Sequence, residues 1–242
     1  MHCHVGTWHT PDFCGRETGL KDLISLYERL GFSGALITTT DLADNKGLLE
    51  EMAEYSGGLN LQFAFWVTPD KLKLLERLAD RVSALKIHPS FLRRPVTDPV
   101  FEPFLALAAE KSWPVVVHCG RWQEIAGYGL ALQAAQQHPS VNFVLSHMGG
   151  DSPCLVHETV DRIKTLGLRN AFLGTESIRQ FDLVQYAVSE LGATQVIFGS
   201  DYNLNSPSAF VGVIRDAGFN YEQTAMILKK NACRLLGMGT ED

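Results

Sequence analysis

The sequence predicts an α/β protein of the (β/α)8 TIM-barrel class, built as a single domain over residues 1–242. Three observations predict it. Short apolar or β-branched runs alternate with longer helical patterns from one end of the chain to the other. The 242 residues divide into eight such units of about 30 residues, near the size of one β-α repeat. Near-continuous apolar runs such as Val115-Val116-Val117 and Val196-Ile197-Phe198 suit parallel strands covered on both faces. A doubly wound open sheet shares the alternation, which does not by itself separate it from a closed barrel.

Taken in order, strands are predicted at residues 2–5, 34–39, 61–67, 84–88, 115–119, 142–147, 171–176 and 196–201. Helices are predicted at residues 20–30, 46–55, 71–80, 101–110, 122–137, 154–166 and 181–191, with a final pair at 207–217 and 221–236. Gly31, Gly167 and Gly192 each follow a leucine where a helical pattern stops, as expected of helix C-terminal glycines. Two connections exceed plain turns, residues 6–19 and 89–98. In a barrel both lie on the C-terminal face, where binding loops gather.

Composition narrows the function classes. With 45% hydrophobic and 20% charged residues the chain can bury a large core. Its 21 basic and 27 acidic residues leave a net charge of −6, so the basic excess that phosphate backbones require is missing and nucleic acid is not an expected partner. No apolar run reaches the roughly 20 residues that span a bilayer, and Met1-His2-Cys3-His4 lacks the regions of a signal peptide, so a cytoplasmic location without membrane association is expected. The five cysteines form no C-x-x-C pair, which points to reduced thiols. Trp8, Phe13, Trp122 and Tyr128 could serve a homo-oligomer interface or a substrate wall.

The chemistry is read from where polar residues fall. His2 and His4 lie on strand one, Lys86 and His88 end strand four, and His118, His147 and Asp201 end strands five, six and eight. Side chains alternate across a strand, so His2 and His4 share a face while Cys3 points the other way; the same parity separates His118 from Cys119 and Asp201 from Ser200. Imidazoles and a carboxylate from separate rigid strands suit a borderline divalent cation such as Zn2+, with a coordination position left open. A lone strand-end histidine is more often a hydrogen-bonded core residue, but five such strand ends on an eight-unit pattern make coincidence the harder explanation. Arg121, just beyond His118, reads equally as a carboxylate clamp and as an exposed loop arginine.

At these residues the sequence resembles the amidohydrolase superfamily, in the amidohydrolase 2 branch of hydrolases and decarboxylases. The matching pieces are His2-Cys3-His4, Leu85-Lys86-Ile87-His88-Pro89, Val117-His118-Cys119, Ser146-His147-Met148-Gly149-Gly150, Phe198-Gly199-Ser200-Asp201 and Asn231-Ala232-Cys233-Arg234-Leu235-Leu236-Gly237. The resemblance implies a mononuclear site with His2, His4, His118 and Asp201 as metal ligands and His147 as a catalytic residue beside them. Two departures stand out. Only Met1 precedes the His-x-His, where relatives have several residues. Lys86 also sits where some binuclear relatives carry a carboxylated lysine that bridges a second metal. TatD-type deoxyribonucleases resemble the chain less, because they place a glutamate at the position of Lys86.

The expected activity is hydrolysis of a small carbonyl substrate, an amide, lactone or ester, by a metal-activated water. Asp201 takes and returns the proton, and His147 assists as an electrophilic or acid/base helper. Lys86, His88 and Arg121 are the candidate contacts to a small, carboxylate-bearing substrate. The alternative is non-oxidative decarboxylation of an aromatic or unsaturated acid on the same site. A non-catalytic binding barrel would be marked by a missing ligand, and none is missing.

Overall fold

The computed structural model describes residues 2–239. Eight parallel strands form one curled sheet in strict chain order: β1 (Cys3–His4), β2 (Gly34–Thr38), β3 (Asn60–Trp66), β4 (Ala84–Ile87), β5 (Val115–Val117), β6 (Phe143–Leu145), β7 (Ala171–Gly174) and β8 (Val196–Ile197). Helices α1 (Leu20–Arg29), α2 (Asn45–Ala53), α3 (Leu72–Leu78), α4 (Glu102–Lys111), α5 (Tyr128–Gln137), α6 (Pro153–Leu166), α7 (Phe181–Leu191) and α8 (Pro207–Asp216) follow the strands. This is the (β/α)8 TIM barrel, and the open-sheet alternative falls because the ends meet: the Asp201 amide donates to the His2 carbonyl at 3.1 Å, and Cys3 bridges Tyr202. Among the described residues no helix is long and apolar enough to cross a membrane.

Alternation along the strands sorts side chains into two layers. The outer set, including Cys3, Leu85, Ile87, Val115 and Val117, packs with helix residues such as Leu23, Phe104 and Leu105 in the main core. The inner set, Leu36, Ala64, Ala84, Val116, Val144, Phe172 and Ile197, fills the N-terminal end of the barrel and packs against Leu235 of the last helical segment. Apolar residues fill this end and polar residues the other, which places the site at the C-terminal mouth. Because Leu235 closes the apolar end, Leu235→Ala is expected to cost about 2–5 kcal/mol in urea unfolding. A loss below about 1 kcal/mol would show that the segment is not the plug.

Several boundaries differ from expectation for physical reasons. The helix expected at 122–137 divides into Gln123–Ala126 and α5, because Gly127 leaves the helical region at φ −75°, ψ 149°. The last strand stops at Ile197 rather than Asp201. Its next amide, on Phe198, bonds the carbonyl of Ile227, which a π-helical turn over Met226–Lys230 leaves free for it. Gly31, Gly167 and Gly192 have positive φ, as expected. The connection over residues 6–19 holds a two-stranded hairpin, Gly6–Thr7 with Glu17–Thr18, and that over 89–98 begins with a helical turn, Pro89–Leu92.

Candidate active site

His2, His4 and Asp201 converge at the mouth, one ligand atom of each lying within 4.8 Å of the others. All three are buried. The tautomers follow from the partners. The His4 Nδ1 lies 2.8 Å from the Thr39 carbonyl, an acceptor only, so Nδ1 carries the hydrogen and Nε2 is the free lone pair. That Nε2 stands 3.4 Å from Asp201 Oδ1, an arrangement of two lone pairs that requires a proton or a cation between them. His2 Nδ1 lies 3.2 Å from Glu176 Oε1, and its Nε2 is buried with no hydrogen-bond partner. A buried acceptor without a partner costs about 1–3 kcal/mol, which a bound cation would relieve. These residues therefore fit a divalent ion, and the Nδ1 contacts are the outer-shell bonds that orient ligating histidines.

His118 does not join the 4.8 Å set of His2, His4 and Asp201. Its ring stacks on that of His88 at 3.9 Å and 12°, and its Nδ1 lies 3.2 Å from Nε2 of His147. His147 Nδ1 faces the Glu176 carbonyl at 3.1 Å and so carries the hydrogen, which makes its Nε2 an acceptor. The Nδ1–H of His118 fills that acceptor and leaves its own Nε2 bare. His2, His4 and His118 thus share one tautomer, with Nε2 available as donor to an ion.

The electrostatics follow from burial. Burial pushes the His2 imidazolium down to about 3, aided by the Lys86 cation, so the ring is neutral and can ligate. Burial likewise holds His88 and His118 well below the usual histidine range. Burial works to raise the Asp201 carboxyl, but a proton or cation shared with His4 Nε2 outweighs it and holds the carboxyl far below the usual carboxylate range. Its other oxygen, Oδ2, is approached at 3.5 Å by both Ser177 Oγ and Asn205 Nδ2. Lys86 is buried on the inner face of β4 and donates to Ser146 Oγ at 3.4 Å; burial pushes its ammonium down to about 8 against the pull of Asp201 and Glu176.

Trp8, Trp66 and Phe91 wall the site beside the histidines. Trp8 meets His4 edge-on at 4.8 Å, Trp66 stacks on His88 at 5.5 Å, and Phe91 lies 4.2 Å from His88. Trp8 and Phe91 come from the two long connections. Arg121 stands apart: its side chain is 76% exposed and pairs with Asp151 at 3.1 Å, so the structure does not bring it to the cluster. Cys3 faces the helices, its thiol donating to the Leu36 carbonyl. Cys3→Ala should therefore leave the metal content of the purified protein unchanged by elemental analysis, and metal loss from the folded variant would contradict this parity.

Sequence reasoning missed Glu176. It follows β7, is 1% exposed, and reaches His2 through one carboxylate oxygen and the His147 amide through the other, at 3.3 Å. Its signal was present: like the other site residues, it is a titratable group at the end of an apolar run. Gly174-Thr175-Glu176 also echoes Gly199-Ser200-Asp201 on the next strand.

An eight-stranded barrel with histidines and a carboxylate at its C-terminal mouth defines a class of barrel enzymes, and the comparisons agree. The family model described as Amidohydrolase matches residues 18–238, and the chain belongs to this family of hydrolases and decarboxylases. No curated protein matches the chain. Among solved structures it is similar to a probable 2-pyrone-4,6-dicarboxylic acid hydrolase from Acinetobacter baumannii with citric acid bound, at 16% identity and TM-score 0.76 over 98% of each chain. It is similar to 5-carboxyvanillate decarboxylase from Sphingomonas paucimobilis, at 17% identity and TM-score 0.73 over 95% of this chain and 87% of that one. It is also similar to the Novosphingobium aromaticivorans 5-carboxyvanillate decarboxylase complexed with manganese and 4-hydroxy-3-methoxy-5-nitrobenzoic acid, at 13% identity and TM-score 0.70 over 89% and 79% of the two chains. At these identities the likeness speaks for the fold.

Proposed function

We propose that the protein is a metal-dependent hydrolase of a small, carboxylate-bearing carbonyl compound such as a lactone, ester or amide. The observation that carries this reading is the bare, buried Nε2 of His2 beside the opposed His4 Nε2 and Asp201 Oδ1. His2, His4, His118 and Asp201 would hold one divalent ion, and this nitrogen-rich set suits zinc. When bound, the ion supplies a Lewis acid that polarises a substrate carbonyl and makes water acidic enough to react near neutral pH.

The chain's own groups do the rest. Asp201, ionised and held through both oxygens, accepts the proton of the attacking water and returns it to the leaving group. His147 has its Nδ1–H fixed on the Glu176 carbonyl, so any proton it gains or gives as acid/base helper passes through Nε2 and requires the His118 Nδ1–H that this nitrogen accepts to move aside. Lys86 places a cation on the inner wall for a substrate carboxylate, and His88, stacked between Trp66 and His118 with its Nδ1 accepting from the Phe91 amide, keeps its Nε2–H as the group it can offer a substrate. Arg121 has no part in this reading. A carboxylated Lys86 would add a second ion, and elemental analysis would show two equivalents in place of one.

The aromatic wall of Trp8, Trp66 and Phe91 favours a second reading, decarboxylation of an aromatic acid. The ring would lie against that wall while Asp201 or His147 protonates the carbon that loses CO2. The test is a panel of carboxylate-bearing lactones, esters, amides and aromatic acids incubated with zinc-loaded protein and followed by NMR and CO2 detection. Net addition of water without CO2 supports hydrolysis, and CO2 release without water addition supports decarboxylation. No turnover across the panel would favour a non-catalytic binding barrel.

A further inference from the structure

One buried group at the mouth is neither an ion ligand nor a proton carrier in that reading. The Glu176 carboxylate lies between the two halves of the site, with Oε1 on His2 Nδ1 at 3.2 Å and Oε2 on the His147 backbone N–H at 3.3 Å. Its own carbonyl receives the His147 Nδ1–H at 3.1 Å. Glu176 thus fixes His147 twice, in a stretch whose backbone is left-handed at His147 (φ 59°) and Met148 (φ 49°). Such non-glycine conformations cost of order 1–3 kcal/mol each and persist only where surrounding contacts hold them.

The space for this carboxylate is made by two glycines. Gly174 and Gly199 occupy the inward positions after Phe172 and Ile197, where the barrel elsewhere carries side chains. A Cβ on Gly174 would come within 2.3 Å of Glu176 Oε2, and one on Gly199 within 2.1 Å of Oε1. Neither glycine has the left-handed backbone that would itself demand glycine. Their lack of a side chain is explained by the carboxylate they seat.

We propose that Glu176 is a positioning residue that couples the His2 imidazole to the His147–His118 pair, and that Gly174 and Gly199 form the cradle that seats it. The inference rests on the metal-binding reading above. In the assigned network Glu176 fixes the hydrogen of His2 on Nδ1, which turns a bare Nε2 toward the ion. By holding His147 it fixes the acceptor on which the His118 tautomer depends. One residue thereby sets two of the ion's nitrogen donors, His2 through its carboxylate and His118, by way of His147, through its main-chain carbonyl, with the carboxylate holding the His147 amide in place.

The test uses Glu176→Gln, Gly199→Ala and their double variant, with zinc affinity read by chelator competition and ring tautomers of the metal-free protein read by 15N NMR of the histidines. Glutamine keeps the shape but presents one donor where two acceptors are needed, and the added methyl displaces the carboxylate without changing it. Each single variant is expected to lose about 10–100-fold in zinc affinity, and the double no more than the worse single, because both remove the same contacts. The His2 nitrogen signals should move away from the Nδ1–H form in all three, while His147, whose Nδ1–H bonds the main-chain carbonyl of residue 176, should keep that form. Unchanged affinity and unchanged signals in Glu176→Gln overturn the proposal, as does a fully additive double variant. Should Gly199→Ala not fold, the isosteric Glu176→Gln still decides. His4→Ala run alongside separates the two levels of argument. If it retains zinc the metal reading fails, and the nitrogen signals of the metal-free variants still judge Glu176.

Discussion

Asp201→Asn is expected to lower turnover of whichever panel substrate the protein accepts by about 10³–10⁴-fold while the variant stays folded and binds metal weakly. The asparagine side chain is nearly the same size, and its carbonyl oxygen can still face His4 Nε2. What is lost is the ability to take up a proton. In the present structure Oδ1 looks toward His4 and Oδ2 is met by Ser177 and Asn205, so the carboxylate has little freedom to turn away. Three imidazoles would still be available to an ion, which keeps the test about proton transfer rather than about an empty site. Turnover within threefold of the parent would remove Asp201 from the chemistry altogether.

The second large effect concerns the ion itself. If His2 and His4 supply two of its donors, saturating zinc should stabilise the parent protein by mass action, by about 4 kcal/mol at a thousand times the dissociation constant. For a chain of this size that corresponds to a rise in Tm of roughly 8–16 °C. His4→Ala removes a donor that no neighbour replaces and is expected to abolish most of that rise, with metal-free Tm changed far less. Differential scanning fluorimetry with and without zinc reads both quantities. An undiminished rise in His4→Ala would place the ion elsewhere.

Much of this architecture was legible because it rests on alternation. Residues 34–39 and 61–67 were expected as strands and are so within one residue at either end, since each is flanked by hydrogen-bonded neighbours that hold it extended. Inward His4, Lys86 and His118 and outward Cys3 and Ile87 follow from the same rule. The rule fails where the strand stops. His147 follows Ser146 beyond the end of β6, and strict alternation would send it to the helix side; the left-handed turn at His147 and Met148 swings it back to His118. His2 and Asp201 also have positive φ, so their convergence on His4 arises from local backbone turns that periodicity does not encode.

The site was also undercounted for a physical reason. Glu176 contributes no obvious motif, because its role appears only when Gly174 and Gly199, on neighbouring segments of the barrel, are both seen to lie against its carboxylate. That proximity is a property of the fold and joins positions 25 residues apart in sequence. Arg121 shows the converse. Its place next to His118 in sequence made it a candidate, but the chain leaves the barrel mouth there and carries it to Asp151 at the surface.

The most direct measurement is an anomalous difference map from crystals of the zinc-loaded protein, collected at the zinc edge. A single strong peak within coordination reach of His2 Nε2, His4 Nε2 and Asp201, with His118 turned to it through its own Nε2, is the predicted result. A map with no peak at that point, or with its ion bound elsewhere on the chain, would contradict the assignment of this mouth as a metal centre.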